Sequence, residues 1–196
     1  MNQHFFLMIV QFNPSCGNLN KNLKRIKESY SRAINKNVDL LAFPEMSLTG
    51  YQAQDLILKP SFMLEVNSAI NQLKLDLAGG IPVLIGAPLY ENGRIYNAYY
   101  LINNGEYSIV SRKHHLPNVN VFDEKRVFTS GPISKPFEVL GVKIGTPICE
   151  DLWFEDVAGL MVETGADFLI SPNGSPYSRE KIDTRAQVAI KRSVET

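Results

Sequence analysis

FFLMIVQFNPSCGNLNKNLKRIKESYSRAINKNVDLLAFPE, residues 5–45, reads as strand, helix, strand. Phe5 to Phe12 is short and almost continuously apolar, the pattern of a strand covered on both faces. Asn13, Pro14 and Gly17 then break it. Leu19, Leu23, Ile26, Tyr30, Ala33 and Ile34 recur at helical spacing, with lysines on the opposite face and Asn18 placed to cap the first turn. Val38 to Phe43 is a second buried strand, closed by Pro44. Two such strands around an amphipathic helix predict a layered α/β architecture. Ligands in these folds gather beyond the carboxyl ends of strands, which is where Glu45 to Gly50 must run as a loop.

Downstream, the amphipathic stretch Phe62 to Leu77 leads through Gly79 and Gly80 into a strand from Val83 to Ala87. Ile95 to Ile102 and Tyr107 to Ser111 form strand-like runs joined by Asn103, Asn104 and Gly105, a hairpin signal that makes the sheet mixed. Residues 112–135 carry Pro117, Asn118, Asn120, Gly131 and Pro132 without periodicity, and loops of that length are often functional. Val139 to Ile148 returns to strand, with a turn at Gly141 and Cys149 at its end. A helix over about Phe154–Thr164, a strand over Asp167–Ser171, a loop to Tyr177 and a charged helix from about Arg179 complete the pattern. No repeat or linker divides it, so residues 1–196 are expected to form one domain.

The 196 residues are 44% hydrophobic, and 20 basic residues balance 20 acidic ones. A globular core is expected, with no global field to attract nucleic acid or an anionic membrane. The N-terminal apolar run is too short for a signal peptide or a span. Two cysteines make no disulfide framework, and their spacing suggests no metal site, which points to a reducing, cytoplasmic setting.

Three residues could carry chemistry, each against a plainer alternative. Cys149 stands where a strand ends and a helix follows, a place where a helix N-terminus can lower a thiol pKa; alternatively it is a packed core cysteine. Glu45 faces the same rim and could serve as general base, or be a solvated loop acid. Lys113 could favour a thiolate and stabilise an oxyanion, or be a surface lysine. Cys16 is read as a plain structural cysteine. His114 and His115 adjoin Lys113 and leave a Cys-His mechanism formally open, whereas His4 is read as surface.

The segments FPEMSLTGYQAQDLIL (43–58), RKHHLPNVNVFDEKRVF (112–128), GTPICEDLWF (145–154) and ISPNGSPYSREKIDTR (170–185) resemble the nitrilase, or carbon–nitrogen hydrolase, superfamily. Within it they look most like the glutaminase domain of glutamine-dependent NAD(+) synthetases. The resemblance implies a four-layer α-β-β-α sandwich with mixed sheets and a Glu45–Lys113–Cys149 triad. In that triad Cys149 attacks the side-chain amide of glutamine, and no metal or organic cofactor takes part. It implies Glu124 as an auxiliary carboxylate, with a surface ion pair to Lys125 or Arg126 as the alternative. It places Tyr51, Val119, Glu150, Ser175 and Lys181 around the substrate; Arg185 is another basic candidate, read rather as a solvated helix residue.

At Val119 these glutaminases often carry a tyrosine, and at Gly174 an alanine, the second being the milder change. The resemblance also implies further strands and a synthetase domain using ATP, Mg and deamido-NAD beyond Thr196, so the fold is expected to be C-terminally incomplete. A homo-oligomer is expected by the same resemblance. The alternatives are an amidase or carbamoylase acting on another small amide, and a non-catalytic assembly module.

Overall fold

In the computed structural model, residues 4–176 and 181–195 are described, the side chains of Lys181, Ile182 and Glu195 excepted. Strict alternation of side chains along the strands places two β-sheets face to face. In strand β2 (Leu40–Ala42), Leu41 joins one apolar cluster while Leu40 and Ala42 join another on the opposite face. The same alternation recurs in β3 (Val83–Glu91), with Val83 and Ile85 opposed to Leu84, and in β4 (Arg94–Asn103), with Ala98 and Tyr100 opposed to Tyr99 and Leu101. With β1 (Leu7–Ile9) and β5 (Glu106–Arg112) these strands form a mixed sheet in the order β1-β2-β3-β4-β5. The first three strands are parallel and the last three antiparallel to their neighbours.

Helices α1 (Leu19–Ile34) and α2 (Pro60–Asp76) cover the first face, burying Ile26, Tyr30, Val66, Ile70 and Leu73 against it. Asn18 caps α1 as expected, its side chain accepting from the Lys21 N–H at 3.0 Å. The second face meets a smaller sheet, β6 (Phe137–Val139), β7 (Val142–Gly145) and β8 (Phe168–Leu169), through Val139, Ile144, Ile148 and Ile170. Gly145 lies on the far side of that sheet, where a side-chain carbon would sit 3.0 Å from the Met161 sulfur in α3 (Glu155–Glu163). Helix, sheet, sheet, helix is therefore the layer order expected. The last helix, α4 (Lys181–Glu195), docks through the buried Arg192, whose guanidinium donates to the carbonyls of Leu152 (3.0 Å) and Trp153 (2.8 Å).

Several expectations need correction. The N-terminal run is covered only in part: Phe5 and Leu7 pack toward one cluster and Met8, Val10 and Phe12 toward the other, but β1 lies at the sheet edge, and Phe6 and Ile9 are 61% and 68% exposed. The strand predicted over 83–87 runs on to Glu91, because Asn92 and Gly93 adopt the paired left-handed conformation of a tight hairpin turn (φ 51° and 77°). The strand predicted to deliver Cys149 stops at Gly145, and Cys149 instead opens a short 3-10 turn, Cys149–Trp153. The α-helix begins only at Glu155, so its N-terminus does not meet the thiol. Cys16 is exposed rather than packed. Tyr177 and Arg179 lie outside the described residues.

Gly86 on β3 links the sheet to the turn that carries Glu45. A side-chain carbon there would clash with the Met46 backbone nitrogen and stand 2.7 Å from the Pro44 carbonyl. Gly86→Ala is expected to cost about 2–4 kcal/mol, in the range of other close-packing violations, and to lower the midpoint of urea unfolding accordingly.

Candidate active site

Glu45, Lys113, Cys149 and Ser175 all follow strand ends, those of β2, β5, β7 and β8 respectively. Glu45 leaves β2 through Pro44 and is held in place by Met46 with a left-handed φ of 51° and by Ser47, whose hydroxyl accepts from the Gly86 N–H at 3.2 Å. It is 1% exposed, so the solvated-acid alternative fails. Its Oε1 accepts from Asn97 Nδ2 and from Lys113 Nζ, both at 2.8 Å, and its Oε2 from the Gly174 N–H at 2.7 Å.

Lys113 is completely buried, and its ammonium bridges Glu45 and Glu124, each at 2.8 Å. Burial alone would favour the neutral amine. Glu45, the Cys149 sulfur and Glu124 reverse that and hold the group above the usual lysine range, so it stays an ammonium. Glu124 is likewise buried rather than paired with Lys125 or Arg126. Desolvation raises its pKa to about 7, against the pull of Lys113. Tyr51 donates to its Oε1 at 2.5 Å, and burial followed by the charges of Glu45 and Glu124 keeps the phenol protonated.

Cys149 is 3% exposed, with its sulfur 3.3 Å from Ser175 Oγ and its N–H donating to the Pro172 carbonyl at 3.0 Å. Its φ of 49° is a left-handed conformation that costs a non-glycine residue roughly 1–3 kcal/mol and is concentrated at functional sites. Burial and then Glu45 push the thiol up to about 12, while Lys113 and Ser175 pull the other way. The resting sulfur is therefore a neutral thiol. The intervening turn takes the helix N-terminus away from the thiol, and Lys113 lowers its pKa as expected but is outweighed by burial and Glu45. A neutral thiol facing a carboxylate suits base-assisted attack on a carbonyl, with the buried ammonium available to the oxygen that becomes anionic.

The peripheral candidates divide. Tyr51 and Ser175 join the cluster. Val119 is 64% exposed on the rim loop, and Glu150 lines an adjoining groove with His114, His115, Lys125 and Phe154, so neither is brought against the thiol. The Lys181 side chain lies outside the described residues. Arg185 is not merely solvated, since it donates to the Pro176 carbonyl at 2.9 Å and braces the loop holding Ser175. Gly174 is not a mild site: a side-chain carbon there would press within 2.7 Å of the Tyr51 ring.

The histidines are engaged elsewhere, His114 Nδ1 with the Gly131 carbonyl at 2.7 Å and His115 Nε2 with Asp156 at 2.9 Å. This leaves the Cys-His alternative without a partner geometry. Together with Asp156 they bring possible metal-ligand atoms within 4.8 Å of one another, a grouping that the sequence spacing does not suggest. Sequence reasoning missed Asn97 and Asp151, both buried. The asparagine breaks the apolar run of β4, which was the available signal.

A Carbon-nitrogen hydrolase family model matches residues 7–193. The chain belongs to the carbon–nitrogen hydrolase family. Among curated relatives of this carbon–nitrogen hydrolase, the glutamine-dependent NAD(+) synthetase of Rhodobacter capsulatus is 41% identical over all of the chain. That of Acinetobacter baylyi is 36% identical over 93% of it. The chain spans only 36% and 34% of those two proteins. The solved glutamine-dependent NAD+ synthetase of Acinetobacter baumannii, in complex with ADP, superimposes with a TM-score of 0.89 at 34% identity, covering 95% of this chain and 35% of that one. An amidase from a Nesterenkonia species shares the fold with a TM-score of 0.80 at 18% identity, covering 98% of this chain and 74% of that one.

Lys113→Met would leave Glu45 and Glu124 buried without their cation. Removing one partner of a buried pair costs about 3–5 kcal/mol. Glu124, already raised to about 7 by burial, would lose the pull of Lys113 and titrate further above its unfolded value, so the native state binds more protons and its stability falls as pH rises. Urea denaturation is expected to show the variant much weakened at about pH 7 and partly recovered at about pH 5, a steeper dependence than that of the unaltered chain.

Proposed function

We propose that this chain is a nitrilase-like glutaminase domain that hydrolyses glutamine to glutamate and ammonia through a Cys149 thioester. The observation that carries the reading is the buried bridge from Glu45 through Lys113 to Glu124, set beside a neutral thiol. A structural salt bridge needs no nucleophile at its edge.

Cys149 Sγ attacks the amide carbon as its proton passes to Glu45, and the carbonyl oxygen takes the negative charge under the Lys113 ammonium. Two of the three Nζ donors are spent on carboxylates, leaving one for that oxygen. Collapse breaks the C–N bond, and the proton on Glu45 leaves with the nitrogen as ammonia. Water then attacks the thioester with Glu45 again as base, and the same proton returns to sulfur as glutamate departs. Glu124 fixes Lys113 between the carboxylates. Tyr51, Ser175 and Lys181 are substrate contacts in this reading, and Glu150 and Val119, set back from the thiol, meet the end of glutamine remote from its side-chain amide. No metal or organic cofactor enters these steps.

Glutamine as the substrate rests on likeness to proteins named glutamine-dependent NAD(+) synthetases, of which the chain spans about a third. By the same likeness, the partner is a synthetase domain that uses ATP, Mg and the ammonia to convert deamido-NAD to NAD. In this reading the reaction takes place in the cytoplasm, in a homo-oligomeric protein. Among the described residues no helix is long and apolar enough to cross a membrane.

Glutamate release from glutamine, assayed beside a panel of other small amides, tests the reading. Turnover of glutamine that falls by about a thousandfold or more in Cys149→Ala and in Glu45→Gln is the expected outcome. Turnover of other amides in preference to glutamine would transfer the same chemistry to a general amidase. Glutamine turnover that survives loss of Cys149 would overturn the thioester route.

A further inference from the structure

Asp151 is 2% exposed and touches none of the triad side chains by hydrogen bond, yet its carboxylate accepts three backbone N–H groups. Oδ1 receives those of His114 (3.0 Å) and His115 (2.7 Å), the two residues after Lys113. Oδ2 receives that of Ile148 (3.1 Å), the residue before Cys149. The two segments come from different sheets: Lys113 follows β5 of the larger one, and Cys149 follows β7 of the smaller. Neither segment is regular at that point, so no sheet ladder carries these N–H groups.

We infer that Asp151 is a positioning residue which clips the nucleophile's turn to the end of the lysine strand, so that Cys149 and Lys113 keep their mutual placement although they belong to separate sheets. The inference rests on the reading of Cys149 as nucleophile.

The carboxylate is needed for its symmetry of acceptors. An asparagine offers one oxygen and one NH2, so whichever way the amide turns, a donor meets a backbone donor. Aspartate therefore fits all three N–H groups, and asparagine, of nearly the same shape, fits at most two. Leaving a buried donor unmet is unfavourable enough to move the turn. Burial raises the Asp151 carboxyl to about 6, against the pull of the same backbone N–H groups and of Lys113, so the clip is charged at neutral pH.

The test is made in the full chain with Cys16→Ser, which removes the exposed thiol and leaves Cys149 as the sole reactive sulfur. Asp151→Asn and Asp151→Ala are compared with this background, well below their unfolding temperatures, by glutamine kinetics and by the pH profile of Cys149 alkylation. Loss of the clip is expected to lower kcat by about tenfold or more while KM changes less than about threefold. It is also expected to move the alkylation midpoint down by about one pH unit or more, toward that of an ordinary thiol, because burial is the main cause of the raised value. A lowered Tm with unchanged kcat and midpoint would reduce Asp151 to a stabilising residue and overturn the inference. If the background chain turns over no glutamine but the midpoint still moves in the variants, the substrate reading fails and the clip stands.

Discussion

A lysine ammonium with no solvent exposure is tolerated only where carboxylates replace the water it has lost, and Lys113 has two of them at 2.8 Å. That bridge fixes much else in the molecule. It requires Glu45 to be buried, which requires the Pro44–Ser47 turn to lie flat on the sheet, which requires a residue without a side chain at Gly86. It requires Glu124 to fold inward from a long irregular loop, and Tyr51 to cap that carboxylate. The Gly174 N–H closes the remaining oxygen of Glu45 and thereby brings the loop with Ser175 to the thiol.

Within this arrangement the sulfur is kept protonated. The cation beside it is already balanced by carboxylates, and burial penalises a further anion. A buried neutral thiol reacts slowly with electrophiles, and in the proposed mechanism it becomes a nucleophile as its proton passes to Glu45. Cys16, exposed and far from this cluster in sequence, has none of these constraints.

The fold was legible where periodicity is strong. α1 and α2, the β4–β5 hairpin at Asn104-Gly105 and the strand–helix–strand opening all follow from spacing and turn residues. What periodicity does not carry is position within a sheet: the apolar run at Phe5–Phe12 looks central but lies at an edge. It also does not carry the conformation of the few residues after β7, where a short turn stands in place of a helix, nor the burial that raises the Cys149 pKa. In the proposed site, Glu45, Lys113, Cys149 and Glu124 follow from the motifs around them rather than from the local chemistry of each residue, which allows a plainer reading for every one of them. Asn97 and Asp151 were missed because their importance lies in contacts to residues 52 and 37 positions away, and no local pattern encodes those.

The central claim is a resting thiol that is neutral and activated only by transfer of its proton to Glu45. Ultraviolet absorbance of thiolate, followed against pH in the Cys16→Ser chain with Cys149→Ala as the blank, measures this without any substrate. No Cys149 thiolate is expected from about pH 7 to about pH 9, a range over which an ordinary thiol ionises. A thiolate signal already complete near pH 7 would contradict it, and would make Cys149 and Lys113 a standing pair of opposite charges.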